Sequence, residues 1–175
     1  MALRRTSAAQ WNRAKAVIKA MPQAANMAMN EAMNRLAEKG IRTVQQHIVL
    51  QDLNWVSLRK STIDRKGNSK AWIDKGKLYE NIISKVSQGE KIIAKGKFGV
   101  TTKTLSCEVG IKSGVTYDDG KEISEVAKVL EFGGKSGKAY IYARPLFSPS
   151  VKEIEAWNIA YNDPRRIVVE ILRAI

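Results

Sequence analysis

The residues of this chain whose types and spacing could do chemistry gather first at Gly133-Gly134-Lys135-Ser136-Gly137-Lys138. A phosphate-binding loop of the G-x-x-x-x-G-K-[ST] kind needs a first glycine to turn the chain and a last one to start a helix. If Gly134-Lys135-Ser136 is the G-K-S, the first glycine falls on Val129. If Gly137-Lys138 is used instead, it falls on Phe132 and the hydroxyl position on Ala139. Both registers fail. Gly134 to Gly137 also spells the GXXG clamp with which KH domains hold single-stranded nucleic acid between two helices. The segment that follows, "KAYIYARPLF", alternates and meets Pro145, so it reads as a strand and not a second helix. A solvated loop is the remaining reading, since Gly, Ser and Lys are what such loops contain.

Other reactive side chains are sparse. His47 is the only histidine and lacks the neighbours of a metal site, so a surface or core role is expected. Cys107, the one cysteine, shares an alternating face with Leu105, Val109 and Ile111, which predicts a buried, reduced thiol. Asp118 and Asp119 are adjacent, so in an extended chain they point opposite ways, and a metal-nuclease pair would need a further carboxylate. No catalytic residue, metal ligand or cofactor is therefore assigned.

These side chains must be positioned by a chain of 175 residues, long enough for one domain (1–175) with a core that buries roughly 70% of the unfolded surface. No apolar run approaches the ~20 residues of a membrane span, and no signal-peptide segment follows the basic start. A soluble, unexported chain is expected. The net charge of +13 is unevenly spread: residues 1–100 carry 19 Lys and Arg against 7 Asp and Glu, the remainder 11 against 10. That asymmetry predicts a polyanionic or acidic partner.

Residues 1–50 read as a helical arm. Trp11, Ala14, Ile18 and Met21 fall three or four apart, and Pro22 is expected to interrupt or restart the helix. Met29, Met33, Leu36, Gly40, Val44 and His47 or Ile48 then form a stripe in which the methionines fill the core and Gly40 marks close packing. Residues 51–150 read as a sheet-containing core. Asp64 to Lys70 predicts a loop, "IISKVSQGEKIIAKGKFGV" and "TLSCEVGI" predict antiparallel strands, and "SEVAKVLEFGG" a helix ending at glycine. Residues 151–175 read as C-terminal helices, with Val151, Ile154, Trp157 and Tyr161 on one face and Ile167, Val168, Ile171, Leu172 and Ile175 after Pro164. The expected class is α+β: long N-terminal helices, a small mostly antiparallel sheet, and C-terminal helices.

Three segments in order carry a family resemblance. Trp55, Leu58, Thr62 and Lys66 form the first, and Ile73, Gly76, Leu78, Asn81 and Ile82 the second. The third runs through Val126, Ala127, Glu131, Phe132, Gly133, Ala143, Arg144, Pro145, Leu146, Phe147 and Pro149. Together they resemble the bacteriophage virion-morphogenesis and minor tail protein family, the neck, head-tail joining or tail-completion proteins of long-tailed phages. The chain departs from that pattern at Lys75 and Gly134, where threonine is usual, at Leu146-Phe147 for Phe-Leu, and at Ser150 for alanine. The resemblance implies a non-catalytic virion protein without cofactor. It would assemble in the host cytoplasm into a homo-oligomeric ring, of about six subunits by the same analogy. The implied partners are further copies of itself, connector or stopper proteins, tail-terminator or tail-tube proteins, and DNA passing through the lumen, with no membrane. A basic KH-like RNA-binding or ribosome-associated protein is the alternative.

Site expectations follow. Gly76 would let a helix start close to a sheet, with Leu78 and Ile82 facing inward. Glu131 and Arg144 would bridge the ends of the glycine loop as an ion pair. The loop itself would reach a neighbouring subunit. Arg59, Lys60, Arg65, Lys66, Lys70, Lys75 and Lys77 would face an acidic neighbour and not the DNA channel, because a basic wall would hold phosphates and slow their passage.

Overall fold

The computed structural model describes residues 8–92, 101–136 and 139–173. The class is α+β. Six helices are present among these residues: α1 (Ala8–Leu50), α2 (Lys60–Lys66), α3 (Lys77–Glu80), α4 (Ile123–Phe132), α5 (Phe147–Tyr161) and α6 (Pro164–Arg173). The strands are β1 (Ile82–Ile92) and β2 (Thr101–Ile111), then β3 (Gly134–Ser136) and β4 (Ala139–Ile141). They form two separate antiparallel ladders, β1-β2 and β3-β4, where a single small sheet was expected. In the longer ladder Ile82 pairs with Ile111 and Ile92 with Thr101, and the Ser87 and Ser106 hydroxyls meet across it at 2.8 Å.

α1 runs through Pro22 without a break. The expected interruption is absent although proline has no N–H to offer the Ile18 carbonyl. Alanine-rich flanks explain the continuity: Ala8, Ala9, Ala14, Ala16, Ala20, Ala24 and Ala25 have the highest helix propensity, and a segment joined to a packed helix is spared the cost of nucleation.

The buried stripe of α1 is Ala24, Ala28, Ala32, Ala37, Val44 and Ile48, with Gly40 and Thr43 between them. The methionines are not its filling. Met21, Met27 and Met29 are exposed and Met33 is half-buried, because helices press so close to α1 that only small side chains fit between. Gly40 does mark close packing: a Cβ there would fall 2.5 Å from Val109 Cγ2 of β2 and 3.8 Å from Ile154 Cδ1 of α5. Ile167 of α6 packs on Ala28 and Ala32, flanked by Val168 and Ile171. The main core gathers Val44, Ile48, Ala71, Trp72, Leu78, Ile82, Ile123, Ala127 and Leu146. Leu78 and Ile82 both point inward, as expected, although Ile82 already opens β1.

Three further expectations change. Asp64–Lys66 belongs to α2, which ends at Gly67, and only the remainder up to Lys70 is loop. On α5 only Ile154 of the predicted face is buried, while Val151 and Tyr161 are exposed. Cys107 is half-buried, and burial, then Glu108, raises its thiol above the ordinary value. Ile175 lies outside the described residues. No helix among the described residues is long and apolar enough to cross a membrane.

Candidate functional site

Residues of the first and third resembling segments meet at one place, the strap Arg144–Ser150 that leads from β4 into α5. Its requirements follow from its sequence. A helix exposes N–H groups in its first turn that need acceptors. The N-cap position of α5 is Leu146, which supplies none. The acceptor comes from α4 instead. Glu131 Oε2 accepts from the Leu146 and Phe147 amides at 2.6 and 3.1 Å, and Oε1 from the Ser148 amide at 3.2 Å. A carboxylate suits this position because the start of a helix carries partial positive charge and such charge-assisted bonds are stronger than neutral ones. Glu131 is buried, 8% exposed, and three fixed donors satisfy it.

The Glu131–Arg144 ion pair is therefore not formed. Glu131 is engaged by α5, and Arg144, 5% exposed, turns toward the 51–59 segment. Its Nε donates to the Val56 carbonyl at 2.9 Å, Nη1 to Tyr142 at 3.2 Å and Nη2 to Ser57 at 3.4 Å. These carbonyls lie outside helices and ladders and need donors. Burial lowers the Arg144 guanidinium below its ordinary value without neutralising it.

Two tryptophans hold the strap from the other side. Trp72 Nε1 donates to the Arg144 carbonyl at 3.0 Å and Trp55 Nε1 to the Pro145 carbonyl at 2.8 Å. Trp72 is 2% exposed, stacks edge-on against Phe147 at 5.9 Å between centroids and lies 6.5 Å from Trp55. It adopts φ 63°, a left-handed backbone that a bulky residue takes only when its surroundings enforce it. Part of that enforcement is Gln51, whose side-chain amide accepts from Ala71 N at 2.7 Å and donates to Ala71 O at 3.1 Å, pairing with the backbone as a strand would. Gly133 completes the joint between α4 and β3. Its φ of 73° and the 2.9 Å that would separate a Cβ from Ala143 N both require glycine.

The remaining candidates are spread more widely. Thr62 is half-buried on α2 and Gly76 caps α3 at φ 78°. Phe132 projects into solvent. Among the seven basic residues Arg59, Lys60, Arg65, Lys70 and Lys75 are exposed; Lys66 donates to the Lys70 carbonyl and Lys70 to that of Val49. Lys75 and Lys77 both grip Asp118, which their hydrogen bonds hold below the usual carboxylate range. Beside them burial, then Asp74 and Asp119, push the Tyr117 phenol up to about 12. The seven cations do not make one free face.

His47 does more than its position in the sequence indicated. Its Nδ1 lies 2.7 Å from Asp52 Oδ1 and its Nε2 3.4 Å from Glu153 Oε2, which joins the end of α1 to α5. Gly134–Ser136 is itself strand β3, paired with β4, so this stretch does not lie between two helices as a KH clamp requires; Gly137 and Lys138 lie outside the described residues. No three His, Cys, Asp or Glu among the described residues gather as metal ligands would.

Sequence reasoning passed over Trp72, Gln51 and the capping role of Glu131. The sequence hid the last, because Ser148 before Pro149 reads as an ordinary serine cap, whereas α5 starts at Phe147 with Leu146 in the N-cap position. No protein-family model, curated protein or solved structure matches the chain.

Proposed function

We propose that the chain is a structural virion protein of a tailed phage, one subunit of a ring in the neck that joins the DNA-filled head to the tail. One observation carries the proposal. Residues of the first and third segments that resemble this family meet in a clamp in which Trp55, Glu131 and Arg144, joined by Trp72 next to the second segment, all hold backbone groups of neighbouring segments. Side chains so committed fix a shape, which is what a joint under the load of packaged DNA requires. The exposed Arg59, Lys60 and Arg65 are left to meet an acidic neighbour by long-range attraction.

The test is positional. Antibody against the chain, applied to purified tailed particles, should label the head-tail junction at a single point per particle. Label spread over the capsid, or confined to material free of particles, contradicts the proposal.

A further inference from the structure

The short ladder at the glycine-rich stretch presents two tyrosines that the clamp does not use. Tyr140 and Tyr142 stand two residues apart, so they project from one face of the extended chain. Lys135 of β3 pairs directly with Tyr140 of β4 and projects with it. The two rings meet edge to face, 5.7 Å between centroids and 79° between planes, and are 54% and 52% exposed.

The surroundings are basic. From Phe132 to Lys152 the chain contains Lys135, Lys138, Arg144 and Lys152 and no carboxylate. Arg144 fixes what lies beside Tyr142, because one guanidinium donates to the carbonyls of Tyr142, Val56 and Ser57 together. The segment so attached continues into Arg59 and Lys60, both exposed, and holds no acidic residue from Leu53 to Ile63. Beyond it α2 adds Arg65 and Lys66 against Asp64. α4 reaches β3 where Val129 approaches Gly134; its Lys128 and Glu125 offset each other, and its Glu131 is taken up by the start of α5. The charge left over around the tyrosines is positive.

We infer that this face binds a single strand of nucleic acid, with bases laid on Tyr140 and Tyr142 and the flanking phosphates drawn to Lys135, Arg59 and Lys60. Exposed ring faces next to unpaired cations are what such a strand uses, since every base has a π face and every nucleotide a negative charge. The angle between the rings selects the partner. At 79° they offer their faces in different directions, so they receive two bases turned away from each other. An unpaired strand can splay its bases in this way, whereas a stacked duplex keeps their faces covered. The inference does not rest on the neck reading, which gives Arg59 and Lys60 an acidic neighbour and assigns nothing to the tyrosines.

The experiment measures fluorescence anisotropy of a labelled oligonucleotide of about 15 thymidines, and of a duplex of the same length, titrated with the full chain. The single strand should bind at least about tenfold tighter than the duplex. Tyr140→Ala and Tyr142→Ala should each weaken binding about fivefold or more, while Tyr140→Phe and Tyr142→Phe, which keep the ring, should stay within about twofold of wild type. Lys135→Ala should reduce the slope of log affinity against log salt by about 0.7, the share of one phosphate contact on a single strand.

Equal affinity for duplex and single strand, unchanged by the alanine substitutions, overturns the inference, and so does the absence of binding at about 50 mM salt. Unchanged circular dichroism in the alanine variants shows that a loss belongs to the face and not to folding. Poly-glutamate bound as tightly as the oligonucleotide, with the same losses, would assign the face to an acidic protein. Vesicles of phosphatidylglycerol and phosphatidylcholine bound through Tyr142 in place of the oligonucleotide would assign it to a lipid surface, and either result overturns the inference. Junction labelling without oligonucleotide binding leaves the neck reading standing, and oligonucleotide binding without junction labelling does the reverse.

Discussion

The clamp around the strap and the tip of α1 are opposite solutions to the same constraint. At the clamp, backbone groups outside helix and ladder bonding are gathered by a few side chains: three amides by Glu131, three carbonyls by Arg144, two more by the indoles of Trp55 and Trp72. At the tip, Ile18 and Met21 are exposed, Trp11 carries the Lys15 ammonium 5.7 Å from its ring centroid, and the helix persists on alanine propensity and its continuity with the packed turns. The difference separates two functions of apolar and polar burial. The clamp stabilises the subunit, while the tip contributes little to it and leaves its apolar surface exposed.

The most severe way to break the clamp is Trp72→Ala. It removes the largest fully buried side chain and the donor to the Arg144 carbonyl, and should destabilise the subunit by about 4 kcal/mol in urea unfolding. A loss below about 1 kcal/mol would mean that the core does not depend on this joint.

Glu131→Ala is next, at about 3 kcal/mol, because three amides at the start of α5 lose their acceptor in a buried site. Glu131→Gln should cost about half as much, since its carbonyl oxygen still accepts while its NH2 faces a donor. Equal losses for the two variants would show that packing, and not the acceptors, is what Glu131 supplies.

The comparison is sharpest where the effect is smallest. Ile18→Ala should leave the unfolding free energy of the subunit within about 0.5 kcal/mol of wild type, because Ile18 is exposed. If it instead destabilised the monomer as a core substitution does, the tip would be packed within its own chain and the contrast would fail.

Much of this was legible in the sequence because it depends on periodicity. The helical ends, the antiparallel hairpin, the helix stopping at Gly133 and the close approach at Gly40 follow from spacing and from glycine. The Glu131–Arg144 ion pair did not form because opposite charge near in sequence says nothing of which backbone groups will be left without partners once the chain folds. Glu131 was drawn to three orphan amides and Arg144 to three orphan carbonyls. The methionines misled for a related reason. Hydropathy ranks Met above Ala as a core residue, but the distance between helices decides which fits, and at Ala28, Ala32 and Gly40 the neighbours come too close for a long side chain.

The bonds of the strap also set the order in which the protein can fold. Trp72 is tied to a carbonyl 72 residues later and Trp55 to one 90 residues later. During synthesis the long α1 is complete first, yet the acceptors that pin Trp55 and Trp72 do not exist until residue 145 has been added, and α5 has no start until residue 148. Closing such distant loops comes late and slowly. The nascent chain therefore carries an amphipathic helix and an open core through most of its synthesis, and the clamp that completes the subunit is also the step that ends this exposed phase.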